Sequence, residues 1–142
     1  MTKDRLLRKR RDHEPPPAIA QRGWRYHHLG IPTRTPHQGE RYLQRLKIHV
    51  CGFDTSPYGI EWMRFDPDCP FTELIKTVPH LAFEVDNLDK ELKGKEVISP
   101  TGSPSKGVRA AMIVHNGAPI ELIEFRTDET RPGRCRRRCL EP

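Results

Sequence analysis

The chain has 142 residues, with 25 Lys/Arg against 19 Asp/Glu, 14 prolines and 4 cysteines, and it carries a net charge of +6. That length suits one domain or two small packed halves, and no stretch of sequence approaches the length of a membrane span. Residues 1–23 hold seven basic and three acidic residues and residues 126–142 hold six and three, which leaves 12 basic and 13 acidic residues between them, so the excess positive charge sits in the tails and not on a nucleic-acid-reading core.

Residues 1–23 read as a basic, proline-rich arm, in which residues 3–11 allow a helix that the run Pro15-Pro16-Pro17 would stop. "RYHHLGI" is a short strand with two adjacent histidines, His27 and His28. Successive strand residues point to opposite faces, so only one of them is expected to look into a given cleft. "GERYLQRLKIHV" begins with helical spacing at Tyr42, Leu43 and Leu46 and then alternates at Ile48 and Val50. "GIEWMRF" is a strand, "FTELIKTV" a short helix or linker, and "HLAFEV" a strand. "DNLDKELKG" reads as a helix capped by Asp86 or Asn87 and closed by Gly94. "KEVIS" is a weaker strand and "SPTGSPSKG" a loop. "VRAAMIV" and "PIELIEF" are strands joined through Asn116-Gly117, a strong hairpin signal. Residues 127–142 have no periodicity and read as a disordered basic tail; Cys135 and Cys139 there lack the second ligand pair a zinc site needs. The simplest reading, with no apolar leader at the start of the chain, is a cytoplasmic protein whose thiols are reduced.

The two halves of residues 24–126 repeat each other. "HHLGIPT" aligns with "PHLAFEV" and "GIEWMRFDPD" with "PIELIEFRTD", which places His28 on His80, Glu61 on Glu121, Phe65 on Phe125 and Asp68 on Asp128. The spacing from His to Glu is 33 residues in the first half and 41 in the second, so the first is expected to be trimmed in its helix or in one strand. The predicted fold is α+β: two β-α-β-β-β modules, at about 24–68 and 79–126, form one curled mixed sheet around a cleft. The repeat would bring His28, Glu61, His80 and Glu121 together about a pseudo-twofold axis. Imidazole plus carboxylate suits a borderline divalent ion such as zinc, nickel, iron or manganese. His27 aligns with Pro79 and is expected to face away.

"HLGIPT", "HLAFEVDNLD" and "GAPIELIEF" resemble the vicinal oxygen chelate superfamily, which includes glyoxalase I, methylmalonyl-CoA epimerase, extradiol dioxygenases and bleomycin-resistance proteins. The resemblance covers residues 24–126. It implies metal ligands at His28, Glu61, His80 and Glu121, as in the His-Glu-His-Glu set of glyoxalase I. It also implies lyase, isomerase or epimerase chemistry on a small molecule with adjacent oxygens. A metal-bound glutamate would shuttle a proton, with Glu121 the better candidate and Glu61 its symmetric counterpart. A ring-cleaving dioxygenase would need only two histidines and one carboxylate with iron, and a drug-sequestering protein would need no metal. Homodimers are common in the family, so a homodimer is expected.

Each of these residues also has a plain structural reading. A strand histidine is commonly a packed or solvated residue, and a strand glutamate can be held by an ion pair or an edge. Glu124 aligns with Arg64 and is expected on the face opposite Glu121. His37, His49 and His115 have no repeat partners and are read as solvated. Trp62, Met63 and Phe83 are read as core, with Trp62 or Met63 able to wall the cleft. The arginine-rich tail is read as solvated in preference to a nucleic-acid arm, the alternative being a protein that meets nucleic acid or an acidic partner through this tail, and no membrane partner is expected.

Overall fold

The computed structural model describes residues 9–126. Most of the expected helix at 3–11, the tail at 127–142 with Cys135 and Cys139, and Asp128 of the repeat lie outside the described residues; residues 9–11 are not helical. A four-residue helix, α1 (Pro17–Ala20), leads into β1 (Arg25–Pro32). Next come β2 (Arg41–Leu43), β3 (Ile48–Cys51), β4 (Ile60–Phe65) and α2 (Glu73–Thr77). The second half runs β5 (His80–Glu84), α3 (Leu88–Leu92), β6 (Val97–Gly102), β7 (Val108–His115) and β8 (Ala118–Phe125).

The eight strands form one curled half-barrel in the order β2-β3-β4-β1-β5-β8-β7-β6. Each half places its first strand parallel to its last, β1 beside β4 and β5 beside β8, and the halves join antiparallel through β1 and β5. The register shows the duplication residue by residue. Gly30, two residues after His28, pairs with Glu61, and Ala82, two residues after His80, pairs with Glu121. Across the join, His28 pairs with Ala82 and Gly30 with His80, which is the pairing a twofold axis between β1 and β5 would generate.

The second module is the complete one. In α3 the Asn87 side chain accepts from the Lys90 amide at 3.0 Å, and Gly94 follows the helix at φ +73°. That is a side-chain N-cap and a left-handed exit. Asn116 and Gly117 both have positive φ, +50° and +74°, as a tight two-residue hairpin turn requires. In the first module the helix is what has been lost: residues 33–40, interrupted by Pro36, cross from β1 to β2 without helical structure. The helical spacing at Tyr42, Leu43 and Leu46 resolves differently from the sequence reading. Residues 41–43 are strand and 44–47 a turn, with the Leu46 amide bonded to the Leu43 carbonyl at 3.1 Å and Lys47 at φ +56°. The i, i+3 spacing is real but lasts one turn, because β2 must pair with β3. The loop expected from residue 99 also begins later, since β6 continues to Gly102.

Two apolar clusters hold the sheet. On the outer face Trp24, Val85, Leu88, Ala111, Ile113 and Leu122 pack together beneath α3, with Ala18 of α1 and Phe83 against them. On the inner face of the first half, Ile48, Val50 and Cys69 pack with Met63, Phe65 and Phe71. Strand alternation therefore assigns Leu122 to the core and Glu121 to the cleft. Glu124 is on the outer face, where it accepts from the Leu88 amide and pairs with Arg109; Arg64, its counterpart, pairs with Glu40 at 2.7 Å. His37 stacks on Trp62 with ring centroids 4.9 Å apart, so the loop at 33–40 covers the outer face where the first-half helix would lie. His49 is likewise engaged, with Asp66 at 3.1 Å, and neither histidine is simply solvated.

Candidate metal centre

His28, His80 and Glu121 converge on the inner face. Each offers one donor atom, and those atoms all lie within 4.8 Å of one another. Both rings are buried, at 6% and 1% exposure, and they meet edge-to-face with centroids 5.5 Å apart. Oε2 of Glu121 lies 3.1 Å from Nε2 of His80 and 3.4 Å from Nε2 of His28. Glu61 is on the same face, 3.9 Å from Nε2 of His28, but outside the three-residue group.

The two carboxylates differ in character. Burial would raise the pKa of Glu121, but hydrogen bonds from His28 and His80 outweigh it and hold the carboxyl well below its usual range. Glu61 moves the other way: burial raises its pKa, and the Glu121 charge adds to the rise against the pull of His28. For His28, burial favours the neutral ring, but Glu121 and Glu61 overcome it and the pKa lies above its ordinary value.

Gly30 makes the site possible. A Cβ at that position would sit 2.2 Å from Cε1 of His80 and 2.7 Å from both ring nitrogens, so only glycine leaves room for the imidazole. This residue was not singled out from the sequence, although a glycine inside an apolar strand is a recognised mark of close approach.

His27 does not face away. Tyr26 pairs with Phe83 and His28 with Ala82, so β1 spends two steps where β5 spends one, and His27 is the extra residue of a β-bulge. The bulge breaks the alternation that assigned His27 to the other side. Its ring stacks on Phe53 at 4.9 Å and lies 5.7 Å from Phe125, and its Nδ1 is 2.7 Å from Nδ1 of His28. A hydrogen bond between the two Nδ1 atoms leaves Nε2 of His28 facing Glu121, and when His28 is the donor its Nε2 is free to bind a metal. A histidine metal ligand commonly has this kind of support on its second nitrogen.

These donors fit a divalent metal. Two imidazoles and a carboxylate suit zinc, nickel, iron or manganese. Nε2 of both rings faces Oε2 of Glu121, which puts the three donor atoms on one side, while Nδ1 of His80 is buried without a hydrogen-bond partner among the described residues.

Two recesses flank the centre. On the His80 and Glu121 side lies an apolar cavity of about 460 Å³ whose walls include Ile48, Met63, Phe71, Ile75 and Met112. Met63 thus walls the cleft, while Trp62 is turned to the outer face. On the Glu61 side is a smaller recess of about 170 Å³, lined by Arg41, Asp54 and Phe53 among others. Among the described residues no helix is long and apolar enough to cross a membrane.

No protein-family model matches the chain, and no curated protein does. Solved structures do. The chain is similar to a hypothetical protein from Bacillus halodurans at 15% identity and TM-score 0.56, over 74% of this chain and 96% of that one. It is similar to methylmalonyl-CoA epimerase from Mycobacterium tuberculosis at 20% identity and TM-score 0.51, over 74% and 90%. At these identities the likeness speaks for architecture. Together with the paired modules it shows that the chain has an α+β fold of the glyoxalase type.

Proposed function

We propose that the protein is a metal-dependent enzyme of glyoxalase-like type, moving a proton on a small substrate with two neighbouring oxygens. His28, His80 and Glu121 would hold the ion. A divalent ion bound there supplies Lewis acidity, polarising a carbonyl and stabilising negative charge that develops on oxygen. The observation that carries the reading is the split between the carboxylates. Glu121 reaches both histidines, at 3.1 and 3.4 Å from their Nε2 atoms, and suits a ligand, whereas Glu61 reaches only His28, at 3.9 Å, and with its raised pKa suits a base. That favours Glu61 over Glu121 as the residue that takes a proton from carbon and returns it. His27 would act as a positioning residue through Nδ1 of His28.

The test is proton exchange in D2O. Metal-loaded protein is incubated with 2-hydroxyketones and with hemithioacetals of 2-oxoaldehydes, and loss of the α-proton is followed by NMR. Exchange is expected to need metal and to fall by about 100-fold or more in Glu61→Gln, the scale of general-base catalysis. Glu61→Gln is expected to keep its metal. Undiminished exchange in Glu61→Gln would overturn the assignment.

The three-residue group favours a second reading. Two histidines and one carboxylate with open positions are the ligand pattern of non-haem iron oxygenases. Iron-dependent oxygen consumption with catechols, unaffected by Glu61→Gln, would establish that reading in place of the first.

A further inference from the structure

The centre is nearly symmetric in its ligands but not in its surroundings. The pseudo-twofold axis relates the Glu61 flank to the Glu121 flank, so a symmetric protein would offer a substrate two equal directions. Sequence divergence has made them unequal. Beyond Glu61 the recess is small and carries the charged side chains of Arg41 and Asp54. Beyond Glu121 the cavity is larger and its walls are mostly aliphatic, aromatic or thioether, with residues 98–104, including the hydroxyls of Ser99, Thr101 and Ser103, closing the far side. Its volume of about 460 Å³ lies within the range of small-molecule sites, and His80 and Glu121 themselves form part of its lining. A group entering it therefore continues directly from the proposed metal position.

We propose that the substrate carries a hydrocarbon group on one side of its two neighbouring oxygens, and that this group occupies the cavity between β3, β4, β7 and residues 70–75. This inference rests on the metal-centre reading for the placement of the oxygens. The cavity itself supplies the preference for an apolar chain. Burying each methylene is favourable by about 0.8 kcal/mol, equivalent to roughly fourfold in affinity. A chain turned the other way would meet Arg41 and Asp54 and lose that gain.

The experiment uses straight-chain alkyl hydroxamates, from acetohydroxamate to octanohydroxamate, which present two adjacent oxygens at one end of a hydrocarbon chain. Binding is measured by titration calorimetry on the full chain, both zinc-loaded and metal-free. Each added methylene is expected to tighten binding about fourfold until the cavity is full. The slope should be the same with and without metal, and zinc should tighten every member. Ala110→Phe, which places a ring in the cavity, should end the gain at shorter chains. A flat series in the wild-type protein would overturn the proposal, whether or not Ala110→Phe folds. So would an Ala110→Phe protein that folds and shows the wild-type series. A chain-length slope with no effect of zinc would instead overturn the metal-centre reading and leave the apolar preference standing.

Discussion

Gly30→Ala is the smallest change that should dismantle the site. The added methyl carbon would lie 2.2 Å from Cε1 of His80, and restoring an ordinary 3.4 Å contact requires about 1.2 Å of movement. His80 is 1% exposed, so the movement open to its ring is into the cavity that it lines. Metal–nitrogen bonds tolerate about 0.2 Å, so a shift of this size takes His80 out of any shared coordination with His28 and Glu121. Metal affinity should fall more than tenfold, since even changes beyond the ligands reach that scale. Overpacking of this kind typically costs about 1–3 kcal/mol, which lowers Tm by several degrees. Gly102→Ala is the control, because a Cβ there meets nothing within 4 Å and the backbone is not left-handed. The assay is competitive zinc titration with differential scanning calorimetry on both variants. Zinc affinity within twofold of wild type in Gly30→Ala, with Tm unchanged, would refute the seating of His80 against β1.

His27→Ala should weaken zinc binding by about tenfold through loss of the His28 support, and His27→Asn, which can still meet Nδ1, should recover part of it, both read by the same titration. In the metal-free protein the raised pKa of His28 means that its pairing with Glu121 stabilises the fold below the ordinary value of 6.5 and is lost as pH rises through the raised value. Zinc competes with that proton, so the zinc-induced gain in Tm should grow as pH rises through the same range. Deleting residues 1–12 and 129–142 should leave a folded domain with the same zinc affinity. Extending the first deletion through residue 20 should lower Tm, because Ala18 packs on the Trp24 cluster and its carbonyl accepts from the Trp24 amide.

The paired modules were legible because the sequence repeats at positions where geometry demands it. His28 and His80, and Glu61 and Glu121, occupy equivalent places in the register because alternation leaves a strand residue only two faces. The α3 cap and the Asn116-Gly117 turn were legible for local reasons, a side-chain acceptor and two residues tolerant of positive φ. The role of His27 was not, since a bulge is set by pairing with β5 and leaves no mark on β1 alone. Nor was the β2–β3 hairpin, where Leu43 and Leu46 satisfy a helical spacing that one turn also satisfies. The separation of Glu61 from the other three donors depends on tertiary placement that the repeat, by its symmetry, conceals. Gly30 could have been found, because it sits two residues beyond a candidate ligand, between Leu29 and Ile31 inside a strand.

The metal centre is tested most directly by elemental analysis of the full chain purified without chelators and then equilibrated with zinc, beside His80→Ala and Glu121→Gln. About one ion per chain is expected in the wild-type protein, with sharply reduced occupancy in both variants. A wild-type protein that takes up no zinc, nickel, iron or manganese, or variants that retain full occupancy, would contradict the site built on His28, His80 and Glu121.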